Sequence, residues 1–251
     1  MRIAVAGATG RIGRFTIAAL EGAGHQAVSL SRADGVDAYA GSGLADALRG
    51  ADAVIDVMNN PSQDRAEIVD FFGTTTKNLL TAGDQAGVRH HVLLSIVGLD
   101  HNTRAPHYAG KREQERLVAD GPVPWTIVRA TQFLDFAAMV AGWTEKDGTA
   151  TIAPLLVQPI AQADVGAILA DVAVGAPLRT RIDIAGPETQ DLVDMARRTY
   201  AARGQAIRLI PTWRSTFGTD MAGEVLLPGD GARLGTVTFD DWLAAGADEG
   251  R

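Results

Sequence analysis

Short apolar runs alternate with helical stretches along the first half of the chain. The runs lack the polar–apolar alternation of a half-exposed strand, so they indicate strands buried on both faces of a sheet. They lie at 2–6, 26–31, 51–58, 89–97 and 124–129. The spacing of apolar residues predicts helices between these strands, at 14–23, about 63–86 and 111–119. This alternation is typical of an α/β protein with a doubly wound parallel sheet.

The regular alternation of strands and helices ends after residue 130, where the predicted elements become shorter and less regular. Strands are predicted at 158–160, 181–185 and 207–210, and helices at 164–173, 190–202 and 239–245. We therefore predict a sheet domain over 1–130 and a smaller region over 131–251, interleaved with the first as one compact unit.

Composition narrows the class of protein. The chain has 251 residues, no cysteine and a net charge of −7. Without cysteine there are no disulfides, no thiolate catalysis, no cysteine-based zinc sites and no iron–sulfur clusters. The acidic balance disfavours a nucleic-acid surface, and no apolar run is long enough to span a membrane. Because the first strand starts at residue 2, we expect no signal peptide. We expect a cytoplasmic monomer or homodimer that binds a small molecule and no metal.

Three glycines mark the first strand-to-helix turn. Gly7, Gly10 and Gly13 follow a predicted parallel strand and open a helix. Glycine there allows a tight turn, a close approach of pyrophosphate and close packing of helix on strand. The spacing G-x-x-G-x-x-G differs from the usual G-x-G-x-x-G, but its place in the chain favours dinucleotide binding over a simple tight turn. The candidate cofactor residues of this turn are Gly7, Thr9, Gly10, Arg11, Ile12 and Gly13.

The end of the second strand discriminates between the two dinucleotides. An acid there would bind the ribose 2′-hydroxyl, whereas an arginine would bind a 2′-phosphate. The strand ends in Ser31 and Arg32, and Arg11 can reach from the glycine turn. We therefore expect NADP(H) in preference to NAD(H). Asp34 lies close enough to leave NAD(H) as the alternative.

Several motifs together resemble the atypical short-chain dehydrogenase/reductases, and more narrowly the NmrA-like NAD(P)-binding group. They cover nearly the whole chain, and the resemblance implies a Rossmann-like fold with a small C-terminal substrate-binding subdomain. That group holds reductases, epimerase-like proteins and silent cofactor sensors. The motifs lie at 7–13, 92–98, 108–111, 125–133, 158–160 and 163–165.

The same resemblance implies a catalytic Tyr-x-x-x-Lys pair and a preceding serine. In such a pair the lysine binds the nicotinamide ribose and the tyrosine transfers a proton. Here Tyr108 stands three residues before Lys111, His107 stands four before, and Ile96 rather than Ser95 occupies the serine position. The standard triad is therefore broken. We expect Lys111 to bind the ribose, with an exposed lysine as the alternative, and Tyr108 or a water to supply the proton.

Other polar residues are weaker candidates. Asn59 and Asn60 follow the run at 51–58, which is the fourth predicted strand when the apolar segment at 36–40 is counted as the third. There they either contact the cofactor or form a turn. Ser95 is kept as a cofactor candidate. His90 and His91 are expected to be solvated, His107 to be exposed or capping, and Asp164 to cap a helix.

The link after the second strand is unusually short. Only three residues separate Arg32 from a third apolar segment at 36–40, although a parallel crossover needs about ten. Either the usual helix is deleted and 36–40 is barely a strand, or this segment pairs differently. By the resemblance, 41–43 replaces an aspartate that contacts adenine, so we expect weakened cofactor affinity. A micromolar or tighter dissociation constant for NADPH contradicts that expectation.

An aromatic-rich set after residue 130 suits an apolar substrate pocket over the nicotinamide. The alternative is the ordinary core of the smaller region. We expect hydride transfer from NADP(H) to a small apolar carbonyl, quinone or conjugated alkene. A non-catalytic NADP(H)-binding redox sensor is the second reading, and a nucleotide-sugar epimerase is the third. The candidate pocket residues are Phe133, Phe136, Met139 and Trp213, accompanied by Trp143, Phe217 and Met221.

Overall fold

A computed structural model describes residues 1–102 and 105–247. The strands are β1 (Arg2–Ala6), β2 (Gln26–Leu30), β3 (Ala53–Asp56), β4 (His90–Ile96), β5 (Trp125–Ala130), β6 (Thr149–Ile152), β7 (Leu156–Val157), β8 (Arg181–Ala185), β9 (Gln190–Asp191), β10 (Arg208–Pro211) and β11 (Arg233–Leu234). The helices are α1 (Arg11–Gly22), α2 (Leu44–Ala47), α3 (Arg65–Ala86), α4 (Pro106–Asp120), α5 (Phe136–Thr144), α6 (Gln162–Val174), α7 (Leu192–Ala202) and α8 (Phe239–Ala244).

Seven strands form the central sheet in the order β11-β8-β5-β4-β3-β1-β2. The pairs β1–β2, β1–β3 and β3–β4 are parallel, with Ile3 opposite Ala27 and Ala53. β1 and β3 are almost entirely buried, which explains their continuous apolar sequence. The predicted α/β fold class is therefore confirmed. Because the strands are parallel, the residues that follow β1, β3 and β4 lie at the same edge of the sheet.

The chain divides into two compact units. Unit 1 comprises 1–129 and 165–182, and unit 2 comprises 130–164 and 183–251. The chain thus returns to unit 1 with most of helix α6 and the first residues of β8. The functional roles predicted for the two regions stay predictions.

The segment after β2 corresponds to the first of the two alternatives considered above. A short 3₁₀ turn at Arg32–Asp34 follows β2, and 36–40 contributes only the bridge between Asp37 and Ser42. The four-residue helix α2 stands in the place of a full crossover helix. β3 is consequently the third strand of the chain, so Asn59 and Asn60 follow the third strand and not the fourth. Likewise, 158–160 contributes a single bridge, between Phe133 and Ile160.

Two expectations about histidines were wrong. His90 and His91 are 2 % and 1 % exposed, because β4 begins at His90 and lies in the interior of the sheet. His90 Nε2 lies 2.9 Å from the Thr126 hydroxyl on the adjacent strand. Burial lowers the pKa of His91 to about 4, so this side chain is neutral at physiological pH.

Within residues 1–102 and 105–247, no helix is both long and apolar enough to cross a membrane.

Candidate active site

The glycine turn packs tightly against its surroundings. Gly7 has φ +84°, and a Cβ atom there would lie 3.0 Å from the Met58 backbone nitrogen. A Cβ at Gly13 would lie 2.2 Å from the Gly7 carbonyl oxygen, well inside van der Waals contact. Only glycine is compatible with either position, which brings α1 close to β1 and the turn close to the segment after β3.

The N-terminus of α1 is open to an anion. Gly10 occupies the N-cap position without a side-chain cap, and the first turn holds no acidic residue. The first N–H groups of a helix have no intrahelical acceptor, and together with the helix dipole they favour a negative charge. Thr9, Gly10 and Arg11 are exposed at this turn, whereas the Ile12 side chain is buried. The residues present therefore fit a pyrophosphate group, held by backbone N–H groups with Arg11 beside them.

The tip of β2 carries charges of both signs. The Ser29 and Ser31 hydroxyls donate to the Asp34 carboxylate at 2.6 and 2.5 Å. These hydrogen bonds lower the pKa of Asp34. Ser31 is thus engaged by Asp34 and is not the free hydroxyl donor expected from the sequence. The exposed Arg32 remains as the cationic candidate, with an anchored carboxylate two residues away.

Lys111 is buried at the carboxyl edge of the sheet. The residue is 5 % exposed, and its Nζ donates to the Leu94 carbonyl at 3.0 Å and more weakly to the Met58 carbonyl at 3.5 Å. Burial lowers its pKa to about 8, against the opposing effect of the Asp56 and Glu115 charges. The alternative of an exposed lysine is therefore wrong. An ammonium has three donors, and among the described residues two carbonyl acceptors are recorded for Lys111.

Tyr108 lies in the first turn of α4, as Pro106 at the helix start predicted. Burial raises the pKa of Tyr108 to about 12, and among residues 1–102 and 105–247 no charge opposes that rise. His107 is half-buried with its ring 5.6 Å from the Phe72 ring, and Ala105 holds the N-cap position. Burial, reinforced by the Lys111 charge, lowers the pKa of His107 to about 4. The expectation that His107 is exposed or capping was therefore wrong.

Ser95 and the asparagines meet different partners. Ser95 is 3 % exposed and donates to Glu115 at 2.6 Å, so the geometry does not support the predicted cofactor contact. The Asn60 side chain accepts from the Ser62 backbone nitrogen at 2.9 Å, which makes it a turn residue before α3. Asn59 is exposed after β3 and keeps the role of a candidate contact.

Unit 2 carries an aromatic cluster that we define as Phe136, Trp143 and Phe217. The Phe136 ring lies 6.5 Å from Trp143 and 5.8 Å from Phe217. Trp143 is 56 % exposed, so the cluster reaches the surface of unit 2. Met139 and Trp213 are also exposed and Phe133 is half-buried, whereas Met221 is buried and belongs to the core.

Asp164 does not cap a helix. It lies in the first turn of α6 and accepts from the backbone nitrogens of Thr236 and Val237, at 2.8 and 3.0 Å. It thereby fixes the position of the segment before α8. The prediction that Asp164 caps a helix was wrong.

Two buried acidic side chains, Asp56 and Glu115, were not predicted from the sequence. Asp56 ends β3 with no exposure, and Glu115 on α4 is 3 % exposed and pairs with Arg129 and Arg181. An aspartate at the end of an apolar run was the available signal for Asp56. Glu115, four residues after Lys111, shares its face of α4 and could have been found by that spacing.

Comparison with known proteins assigns the family. A family model described as NAD(P)H-binding matches residues 7–174, which is more than half of the chain. The chain therefore belongs to this NAD(P)H-binding family.

A curated relative is a reductase. The (4-alkanoyl-5-oxo-2,5-dihydrofuran-3-yl)methyl phosphate reductase of Streptomyces griseus is 34 % identical over 145 residues, 53 % of this chain. The match spans 48 % of that relative, about half of its length.

Solved structures share the fold. A short-chain dehydrogenase/reductase superfamily protein from Agrobacterium tumefaciens with bound NAD has a TM-score of 0.69 at 20 % identity, covering 98 % of this chain and 96 % of that one. An NADPH-dependent quinone oxidoreductase from Escherichia coli, complexed with NADPH, has a TM-score of 0.66 at 20 % identity, covering 84 % and 78 %. The resemblance to atypical short-chain dehydrogenase/reductases is thus confirmed at the level of the fold.

Proposed function

We propose that the protein is an NADPH-dependent reductase of a small apolar carbonyl, quinone or conjugated alkene. The observation that carries the proposal is the position of Met58, which the glycine turn and Lys111 flank. The Gly7 turn approaches the Met58 nitrogen, and Lys111 donates to the Met58 oxygen. The glycine turn and a buried ammonium thus meet at one strand end, at the edge where sheets of this kind bind their ligands. The bound nucleotide would supply the hydride.

The choice of NADPH over NADH rests on two arginines. Arg11 and Arg32 are exposed at the glycine turn and after β2, and guanidinium groups suit a 2′-phosphate. Asp34 opposes this preference, because its carboxylate repels a phosphate and accepts from a ribose hydroxyl. We propose that the two arginines outweigh the single carboxylate.

Lys111 has an electrostatic role in this proposal. Its remaining hydrogen binds the nicotinamide ribose, while its bonds to Leu94 and Met58 fix its direction. The proton of the reduction comes from Tyr108 or from a water. With a pKa of about 12, Tyr108 is fully protonated at neutral pH but releases its proton reluctantly.

The acceptor molecule binds the apolar surface of unit 2 in this proposal. The aromatic cluster, with Met139 and Trp213, offers exposed aromatic area that suits a flat apolar compound. The Streptomyces relative is named as the reductase of an oxo-dihydrofuran. Such rings carry an alkene conjugated to a carbonyl, which favours that acceptor class.

A redox sensor is the second candidate function. It is favoured by the state of the proposed catalytic positions, because burial raises the pKa of Tyr108 and Ser95 is engaged by Glu115. A sensor requires tight binding of NADPH without turnover.

The deciding experiment measures NADPH oxidation with a panel of quinones, enones and aromatic ketones. The reductase proposal expects turnover with at least one acceptor. It also expects loss of turnover in Lys111→Met but not in Lys77→Met, which removes an exposed lysine from α3. NADPH binding without turnover on the whole panel would instead establish the sensor.

The cytoplasmic location and the monomeric or dimeric state also belong to the proposal. The acidic composition supports the location, since it suits no anionic membrane surface. Cell fractionation and sedimentation of the purified protein test them.

A further inference from the structure

A buried carboxylate lies near the Lys111 ammonium. Asp56 ends β3 with no exposed surface, and the Gln114 and Thr76 side chains beside it are equally buried. One Asp56 oxygen accepts from the Met58 nitrogen and the other from Gln114 Nε2, both at 2.9 Å. Burial raises the pKa of the Asp56 carboxyl above its usual value, while the Lys111 charge and these two hydrogen bonds oppose that rise. Because both oxygens act as acceptors, the contacts suit the ionised form of the carboxyl group.

The charges around Lys111 come from few elements. Asp56 faces it from β3, His107 and Glu115 from its own helix, and the Phe72 ring from α3 at 4.8 Å from the ring centroid. β4 contributes the Leu94 carbonyl. The Glu115 charge is shared with Arg129 and Arg181. Among the residues that the structure describes, Asp56 is therefore the acid near Lys111 whose charge no arginine offsets.

We infer that Asp56 is a positioning residue, whose buried negative charge keeps Lys111 protonated at neutral pH on the carbonyls of Leu94 and Met58. The inference rests on the proposed role of Lys111 in cofactor binding. Asp56 acts through its electrostatic field, because the structure records no direct ion pair between the two groups. A buried ammonium without this carboxylate would shed its proton to avoid the desolvation penalty.

The Asp56→Asn variant isolates the charge. The asparagine oxygen can still accept from the Met58 nitrogen, and its amide can donate to Gln114 Oε1 once the Gln114 amide turns over. That Gln114 oxygen has no hydrogen-bond partner in the structure, so the exchange is sterically and chemically available. The variant therefore removes one charge while the local packing is kept.

The measurement is the titration of the lysine side-chain nitrogens in ¹⁵N-lysine-labelled full chain without cofactor. The sequence contains three lysines, Lys77, Lys111 and Lys146, so three signals are assigned by single substitution. In the wild type the Lys111 midpoint is expected near its pKa of about 8. Asp56→Asn is expected to lower that midpoint by about one pH unit or more.

The matched control is Asp120→Asn, which removes one charge from the exposed end of α4. It is expected to leave the Lys111 midpoint unchanged. An unchanged midpoint in Asp56→Asn, or an equal shift in the control, would overturn the inference. Should Asp56→Asn not fold, the Asp56 carboxyl ¹³C signal of the wild type decides: a change at the Lys111 midpoint supports the coupling, and no change overturns it.

The pH profile of NADPH binding separates this role from a structural one. In Asp56→Asn the pH at which affinity falls should move down with the Lys111 midpoint, whereas a structural defect would weaken binding equally at every pH. If wild-type protein binds no NADPH, the proposed function fails while the measured Asp56–Lys111 coupling stands. If the variant binds with an unchanged profile, the inference fails and the proposed function stands.

Discussion

Lys111 and Glu115 lie one turn apart on the same face of α4, yet their surroundings differ. Both are buried, with 5 % and 3 % exposure. Glu115 accepts four hydrogen bonds of 2.6 to 2.8 Å, from Ser95, twice from Arg129 and once from Arg181. Lys111 finds two backbone carbonyls and a ring face. One charge is fully paired, and the other is not.

The pKa shifts of Glu115 and Lys111 reflect the same difference in pairing. Burial raises the pKa of Glu115, but hydrogen bonds from Arg129, Ser95 and Arg181 lower it by more, so the carboxylate form is stabilised. Burial lowers the pKa of Lys111, so its charged form is destabilised. A fully paired buried charge stabilises the architecture, whereas an underpaired one costs stability and is a candidate for a functional site. The comparison therefore supports the proposed cofactor contact at the Lys111 end of α4.

The largest effect is expected for Glu115→Gln. This change leaves the Arg129 guanidinium, with a side chain 15 % exposed, without its buried anionic partner. The free energy of unfolding should fall by about 3–5 kcal/mol in denaturant titration. The control Glu113→Gln, whose partner Arg116 is 56 % exposed, should cost less than about 1 kcal/mol. Equal losses in the two variants would contradict the difference between the buried Glu115 pair and the exposed Glu113 pair.

Lys111→Met is expected to change the free energy of unfolding in the opposite direction, that is, to increase it. The Lys111 pKa falls from 10.5 to about 8 on folding, so the folded state releases a proton that the unfolded state keeps. Stability should therefore rise as the pH rises from about 8 to 10.5, and at neutral pH the charge costs about 3 kcal/mol. The variant should regain up to that amount, less the value of its lost hydrogen bonds.

NADPH affinity should nevertheless fall about tenfold or more in Lys111→Met, since a hydrogen bond from a charged group is lost. Lys77→Met is the control for both measurements. A stability loss as large as that of Glu115→Gln would place Lys111 among the structural charges.

The buried neutral His91 extends the comparison to a third kind of group. Its pKa is lowered from 6.5 to about 4, so the unfolded state binds a proton first as the pH falls. Stability should be fully present above pH 6.5 and should decline between pH 6.5 and 4. In His91→Leu the slope in that window should decrease by up to about 1.4 kcal/mol per pH unit. His101→Leu, at an exposed histidine, is the matched control.

The smallest effect is expected at the surface, where Asp34 is the exposed counterpart of these buried groups. Asp34→Asn removes a negative charge beside Arg32 and should increase the preference for NADPH over NADH by about tenfold. Arg32→Ala should shift the preference the other way. Titration of each variant with both nucleotides measures the ratio of NADPH affinity to NADH affinity. A ratio that stays the same in both variants would show that the tip of β2 does not select the cofactor.

The sequence predicted the conformation of the glycine turn better than it predicted the burial and the partners of the polar side chains. The spacing of Gly7 and Gly13 demanded a close strand–helix contact, and the structure has it, because glycine spacing encodes local backbone geometry. The burial of His90 and His91 could not be seen, since it depends on what covers β4 rather than on the strand itself. The engagement of Ser95 by Glu115 likewise depends on a helix that follows the strand in the chain. Long-range contacts, not local pattern, decided these cases.

The central claim is that Lys111 works as a buried, charged cofactor ligand. Its most direct test is NADPH titration of the wild type and Lys111→Met at pH values below and above the Lys111 pKa of about 8. We expect wild-type affinity to fall as the pH passes that value, and the variant to bind weakly with no such fall. Wild-type protein that binds no NADPH at any pH, or a variant that matches the wild type throughout, would contradict the claim.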